Sequence, residues 1–275
     1  MTLTRREVTE LLTAHGLAPR RALGQNFVVD PNTVRRIARL AAVGPADRVI
    51  EIGAGLGSLT LALRETGAAV TAVEVDRGLV PVLRSVVEPV GVDVVEGDAL
   101  DLDWAALLGE GPWVLVANLP YNVATPLVVR LLEEVPAIDR MLVMVQAEVA
   151  DRLAATAGTS AYGAVSVVVA WWAAAKIIGD VPPTVFMPRP KVSSSLVALE
   201  RRLPPSIGVD YARFKEVVRA GFGHRRKMLR GSLADVVDPD AFDAAGVAPS
   251  ARAEELGLEQ WGRLAAWRPN APTPS

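Results

Sequence analysis

Asn118-Leu119-Pro120-Tyr121 is the most specific short motif in the chain. Its residue types suit one chemical problem, nucleophilic attack by the exocyclic N6 amine of adenine. The lone pair of that amine is delocalised into the purine ring, so it is a poor nucleophile. Two hydrogen-bond acceptors aimed at the amine can draw it toward tetrahedral geometry and localise the pair. The side-chain oxygen of Asn118 and the carbonyl of Leu119 can supply them, with Pro120 fixing the loop. Tyr121 can stack on a base swung out of its helix. No strong general base is required, because positioning and stabilisation of developing positive charge carry the rate. The alternative is a turn that ends a strand, with a tyrosine that merely packs. The chain has no cysteine, so attack on cytosine through a cysteine nucleophile is excluded.

A candidate cofactor site lies upstream. Val49-Ile50-Glu51-Ile52 reads as a strand running into Gly53-Ala54-Gly55-Leu56-Gly57. A glycine-rich turn between strand and helix lets a ligand approach the backbone closely, and Gly53 and Gly55 are its first two glycines. The dinucleotide fingerprint would place its last glycine at position 58, which is Ser58; the third glycine comes one residue early. The G-x-G-x-G form resembles that of class I methyltransferases, although another nucleotide site stays open. Glu74 stands at the next strand end, where a carboxylate can accept both ribose hydroxyls of an adenosine cofactor. It could instead be a solvated acid. Asp98, in Glu96-Gly97-Asp98-Ala99, sits where a carboxylate could accept the adenine 6-amino group. Three such features at successive strand ends reinforce one another, because ligands of open parallel sheets bind at the carboxyl ends of strands.

The elements that must position these residues follow from hydrophobic period and capping. Arg5–His15 reads as a short amphipathic helix, and Asp30-Pro31 as an N-cap with proline opening a helix to about Val43. Strands are expected at 48–52, 69–75, 92–96, 113–117 and 140–146. Helices are expected at 58–65, 78–87 and, with Thr125-Pro126 as cap and first turn, up to Glu134. Strands alternating with helices at this spacing predict an α/β fold, a doubly wound and largely parallel Rossmann-like sheet. Two more strands, 177–181 and 194–199, flank a proline-rich stretch. The run Val165–Ala175 is about half of what a membrane span needs and reads as one buried element. Near Pro204-Pro205 the pattern turns wholly helical. A boundary there gives a catalytic domain over 1–204, whose first 30 residues form an N-terminal helix and contact segment, and a small all-α domain over 205–275.

Composition narrows the class. Of 275 residues, 51% are apolar and 22% charged, which is the balance of a globular protein. The two histidines, His15 and His224, lie far apart, and a metal site is not expected. The N-terminus lacks an apolar signal core, and a cytoplasmic protein is expected. Net charge is −2, which speaks weakly against a nucleic-acid binder. The distribution matters more, since five of the twelve residues from Arg219 to Arg230 are Arg or Lys. Arg225, Arg226, Lys227 and Arg230 are candidate phosphate contacts, and on a helix Arg226 and Arg230 would share a face. A solvated helix face paired with nearby aspartates is the alternative.

The chain resembles the ribosomal RNA adenine dimethyltransferase family. The matching segments span nearly all of it: Leu23–Phe27, Glu51–Gly57, Glu74–Asp76, Gly97–Ala99, Asn118–Asn122, Phe186–Ser194 and Phe222–Leu229. The likeness is closest to the bacterial members that act on the small subunit. It implies S-adenosylmethionine as cofactor and N6-dimethylation of two adjacent adenosines in a hairpin loop near the 3′ end of 16S rRNA. The substrate would be an assembling small ribosomal subunit, met by a monomer. It implies that Asn26 and Val28 contact the cofactor with Gly53, Glu74, Asp98 and Asn118. It also implies that Phe186 stacks on the target base opposite Tyr121, with a packing role for this lone aromatic among prolines as the alternative. After Tyr162-Gly163 the family commonly carries Arg, where this chain has Ala164. The competing expectations are a 23S rRNA adenine N6-methyltransferase of the macrolide-resistance type, a non-catalytic RNA-binding assembly factor, and a Rossmann dehydrogenase.

Overall fold

The computed structural model describes residues 2–203, 208–224 and 227–267. In chain order the elements are α1 (Arg5–Ala14), β1 (Phe27–Val28), α2 (Pro31–Leu40), β2 (Arg48–Ile52), α3 (Ser58–Arg64), β3 (Ala69–Glu74), α4 (Val80–Val87), β4 (Asp93–Glu96), α5 (Trp104–Leu108), β5 (Trp113–Asn118), α6 (Ala124–Glu134), β6 (Ile138–Gln146), α7 (Ala147–Ala154), α8 (Ala164–Trp172), β7 (Ala173–Val181), β8 (Phe186–Met187), β9 (Ser194–Arg201), α9 (Tyr211–Phe222), α10 (Leu229–Ser232), α11 (Asp240–Ala245) and α12 (Leu258–Ala266).

They form two compact units. The first takes in the chain up to Ala150 together with Ala175–Arg201. Its seven-stranded sheet has the order β4-β3-β2-β5-β6-β9-β7. Strands β4, β3, β2, β5 and β6 are parallel, and β9 runs antiparallel to β6. This is the α/β, Rossmann-like sheet expected from the alternation of strands and helices. The central strand β2 is paired on both edges and covered on both faces. Its Val49 and Ile50 are fully buried, as near-continuous apolar strands of parallel sheets are. Asp30 caps α2 by accepting the Thr33 N–H at 2.9 Å. The helix at Pro126 begins earlier than expected. Its first residue is Ala124, capped by Val123, because the Pro120 carbonyl already accepts the N–H groups of Val123 and Ala124. Thr125 is therefore inside the first turn.

The second unit comprises Asp151–Ala174 and the described residues after Arg201. A boundary at 204 misassigns residues 151–174. Tyr162, Val167 and Trp171 share one apolar cluster with Phe214, Val217 and Trp261. The Trp171 and Phe214 rings lie 4.2 Å apart, and the Tyr162 hydroxyl donates to the Leu256 carbonyl at 2.8 Å. A helix that is apolar all round must be buried, but its sequence does not say against what. The run Val165–Ala175 is also two elements, since the chain turns extended at Ala173. Ala164 opens α8 and packs against the same cluster. Among the described residues no helix is long and apolar enough to cross a membrane.

Candidate active site

In the order β4-β3-β2-β5, the carboxyl ends of four neighbouring parallel strands bring Glu96, Glu74, Ile52 and Asn118 to one edge of the sheet. A cleft of about 790 Å³ opens there. Asn26, Val28, Gly53, Gly55, Glu74, Asn118, Leu119, Pro120 and Tyr121 all line it. An adjoining cleft of about 390 Å³ is lined by Asp98 with Gly53, Val75, Leu100 and Pro120. Every cofactor residue expected from the sequence thus lies in one of two contiguous depressions sharing Gly53, Val75 and Pro120.

The glycines are there for conformation and space. Gly53 and Gly55 have φ of 72° and 60°, in the left-handed region that side chains avoid. A Cβ on Gly55 would meet the Phe27 ring at 3.0 Å. Glu74 is 5% exposed, and both carboxylate oxygens accept backbone N–H groups, from Gly55 at 2.7 Å and from Asp76 at 2.9 Å. Burial raises its pKa, and those backbone bonds oppose the rise. Asp98 accepts the Leu100 N–H at 2.9 Å, which turns the loop beneath the smaller cleft.

Asn118 ends β5. Its side-chain Nδ2 donates to the Asn26 carbonyl at 3.0 Å, which aims Oδ1 away from that bond. No donor among the described residues takes up Asn118 Oδ1 or the Leu119 carbonyl. Two unclaimed acceptors therefore stand on consecutive residues beside the cleft. The Tyr121 hydroxyl lies 2.9 Å from Ser194 Oγ, and its pKa is raised by burial. That bond fixes the ring from the buried start of β9.

Phe186 is placed differently from the expectation. Its ring is 1% exposed within the main core cluster, and its backbone pairs with Val28 across β1 and β8. Here it supports β1 from behind and offers no face to a base. The basic segment also departs from one helix. Helix α9 ends at Phe222 and α10 starts at Leu229, with Met228 extended between them. Lys227 and Arg230 are exposed and pair with no carboxylate among the described residues. Arg225 and Arg226 lie outside the described residues. Among those described, no group of three or more His, Asp or Glu could hold a metal ion.

Among the residues that escaped the sequence reading, Val8 of α1, Val75 and Glu51 line the clefts, and Ser194 stands behind Tyr121. Val75 is 43% exposed at a strand end, an apolar face suited to a planar ring. Glu51 had a legible signal, a carboxylate inside an otherwise apolar strand. Its side chain is buried, Oε2 has no hydrogen-bond partner, and burial aided by the nearby Glu74 charge pushes its pKa up to about 8. The Thr60 hydroxyl opposes the rise, although neither Thr60 Oγ1 nor Glu51 Oε2 finds a well-aligned bond.

This carboxyl makes stability depend on pH. The folded chain keeps the Glu51 proton up to about pH 8, while the unfolded chain loses it near the ordinary 4.5 of glutamate. Stability conferred by that proton is complete below pH 4.5 and is lost as pH rises toward 8. Glu51→Gln is expected to flatten this slope by an amount on the order of a few kcal/mol. Its melting temperature relative to the parent should be higher at pH 8 than at pH 5. Thermal scans without cofactor, showing parallel pH profiles for the two proteins, would refute the assignment.

The family model for ribosomal RNA adenine dimethylase matches residues 16–268. The ribosomal RNA small subunit methyltransferase A of Kineococcus radiotolerans is 47% identical over 277 residues, covering 97% of this chain and 92% of its own. The protein of that name from Streptomyces coelicolor is 46% identical, covering 94% of each chain. Among solved structures, a dimethyladenosine transferase from Plasmodium falciparum superposes with a TM-score of 0.73 at 22% identity, over 86% of this chain and 94% of that one. The 23S rRNA methyltransferase ErmE gives 0.67 at 28% identity, over 87% and 98%. A family model that matches residues 16–268, with relatives at 46–47% identity over nearly the whole length, shows that this chain belongs to the ribosomal RNA adenine dimethylase family.

Proposed function

We propose that this protein N6-dimethylates two adjacent adenosines in a hairpin loop near the 3′ end of 16S rRNA, in the assembling small ribosomal subunit. The observation that carries the reading is the pair of unclaimed acceptors, Asn118 Oδ1 and the Leu119 carbonyl, at the mouth of a cleft that fits the cofactor.

The fit rests on features of the cleft itself. A carboxylate oxygen has two lone pairs, so Glu74 can accept ribose hydroxyls beside its backbone bonds. Val75 offers an apolar face next to Asp98, as an adenine ring requires. Bound there, S-adenosylmethionine supplies an electrophilic methyl group. Asn118 and Leu119 accept the amine hydrogens, hold the nitrogen pyramidal and stabilise the positive charge it gains on attack. Tyr121, fixed through Ser194, backs the extruded base. The second unit docks the RNA. Lys227 and Arg230, free of carboxylate partners among the described residues, contact phosphates together with Arg225 and Arg226.

The relatives at 46–47% identity are named for the small subunit, which favours that target over the large-subunit RNA. Small subunits from a strain lacking the modification, incubated with the protein and S-adenosylmethionine, are expected to gain N6,N6-dimethyladenosine at both positions. Mass spectrometry of the digested rRNA reads the result. Methyl groups appearing in large-subunit RNA instead, or in neither, would overturn the proposal.

A further inference from the structure

Asp76 is a buried carboxylate, 4% exposed, that lines neither cleft. Its Oδ1 accepts the Gly78 N–H at 2.9 Å and faces the Arg20 guanidinium at 3.1 Å. Its Oδ2 accepts the Gln25 side-chain amide at 2.8 Å, across 51 positions of sequence. Gln25 Oε1 in turn accepts the Arg20 backbone N–H at 2.7 Å. Both ends of the Gln25 amide are thus engaged, and the loop before β1 is tied to the end of β3.

The next residue, Asn26, offers its carbonyl to Asn118 Nδ2. The Asn26 side chain donates back to the Gly24 carbonyl at 3.0 Å. Gly24 lies against the loop that carries the acceptors, where a Cβ would meet Pro120 Cβ at 3.0 Å and Asn122 Oδ1 at 3.1 Å. An unbroken chain of contacts runs from Asp76 through Gln25 and Asn26 to Asn118. The Asn26 carbonyl decides which way the Asn118 amide points. If the loop moved, that amide could turn over and present N–H groups to the substrate amine, donor against donor.

We infer that Gln25 and Asp76 are a positioning pair for methyl transfer. They hold the loop whose Asn26 carbonyl keeps Asn118 Oδ1 turned toward the reacting amine. The inference rests on Asn118 acting as an acceptor in the reaction. Neither residue of the pair touches the reacting atoms.

The pair can be broken and rebuilt. In Gln25→Glu two carboxylates face each other. In Asp76→Asn two amide donors compete for one acceptor. In the double variant Gln25→Glu/Asp76→Asn the introduced amide donates to the introduced carboxylate. There the Arg20 N–H, the Gly78 N–H and the Arg20 guanidinium keep their acceptors. Each single variant is expected to lose about 10- to 100-fold in kcat on undermethylated small subunits, with a smaller change in cofactor affinity. The double variant is expected to recover most of the loss. Gln25→Met, which has no hydrogen bond to give and leaves the buried Asp76 Oδ2 without its partner, should match the single variants in kcat and melt somewhat below the parent. Single variants at parental kcat, or a double variant no better than either, would overturn the inference. Trypsin cleavage after Arg20 gives a readout that needs no methyl transfer. It should be roughly 10-fold faster in each single variant and restored in the double one, if loosening of the loop sets the cutting rate. Equal cutting in all four proteins would overturn the inference even where the parent itself proved inactive, an outcome that would sink the assigned reaction instead.

Discussion

Asn118→Ala is expected to lower turnover by about a thousandfold while leaving cofactor affinity within about tenfold of the parent. The substitution removes one of the two acceptors for the amine hydrogens, and it removes the Nδ2 bond to the Asn26 carbonyl. The first loss acts where charge develops, in the transition state. Losing one preorganised group of this kind costs about 10²–10³ in rate. The second loss loosens the loop that carries Asn26, which adds to the rate effect and accounts for any weakening of cofactor binding. Asn118→Asp separates the two. It keeps an acceptor but turns a carboxylate oxygen toward the Asn26 carbonyl, so it should fall between the parent and the alanine variant. Single-turnover methyl transfer on undermethylated small subunits, with calorimetry of S-adenosylhomocysteine binding, measures both quantities. Near-parental turnover in Asn118→Ala would end the acceptor argument, whatever the affinity did.

The parts of the site that could be read from sequence are those set by local chain chemistry. A glycine-rich turn after an apolar strand needs φ values that glycine alone adopts readily, and Gly53 and Gly55 have them. Carboxylates at successive strand ends converge because parallel strands share an edge, and Glu74 and Asp98 do so. What escaped depends on partners distant in sequence. Phe186 reads as a lone aromatic among prolines, open to stacking on a base or to packing, and it is the pairing of its strand with Val28 that brings the ring into the core. Residues 151–174 show their apolarity plainly, but nothing local says that Phe214 and Trp261 cover them. The basic segment around Lys227 has helical spacing, and still the chain is extended at Met228, where the Leu229 N–H bonds to the Ala251 carbonyl. In each case a tertiary contact overrides a local preference.

Glu74 carries the second large effect, and the structure makes it larger than a single lost ribose contact. Charge-assisted hydrogen bonds to the cofactor are worth roughly 1.5–3 kcal/mol, or about 10- to 150-fold in affinity. But the same carboxylate accepts the Gly55 and Asp76 N–H groups. In Glu74→Ala both are left without acceptors in a buried place, and each unpaired group costs about 1–3 kcal/mol. Gly55 belongs to the turn that must admit the cofactor, so its release degrades the site as well as the fold. Relief of a buried charge offsets part of the cost to stability, since burial already raises the Glu74 pKa. It does not offset the loss in binding. The expected result is at least about a hundredfold weaker binding of S-adenosylmethionine and S-adenosylhomocysteine, with a fall of several degrees in melting temperature. Glu74→Gln is the sharper test, because its shape is conserved. A glutamine has one acceptor oxygen and one NH2 group, so one of the two backbone N–H groups must face a donor. It should therefore bind cofactor at least about tenfold more weakly, despite being isosteric. If Glu74 only solvated a strand end, glutamine would be silent and alanine nearly so. Calorimetry placing both variants within threefold of the parent would remove Glu74 from the site.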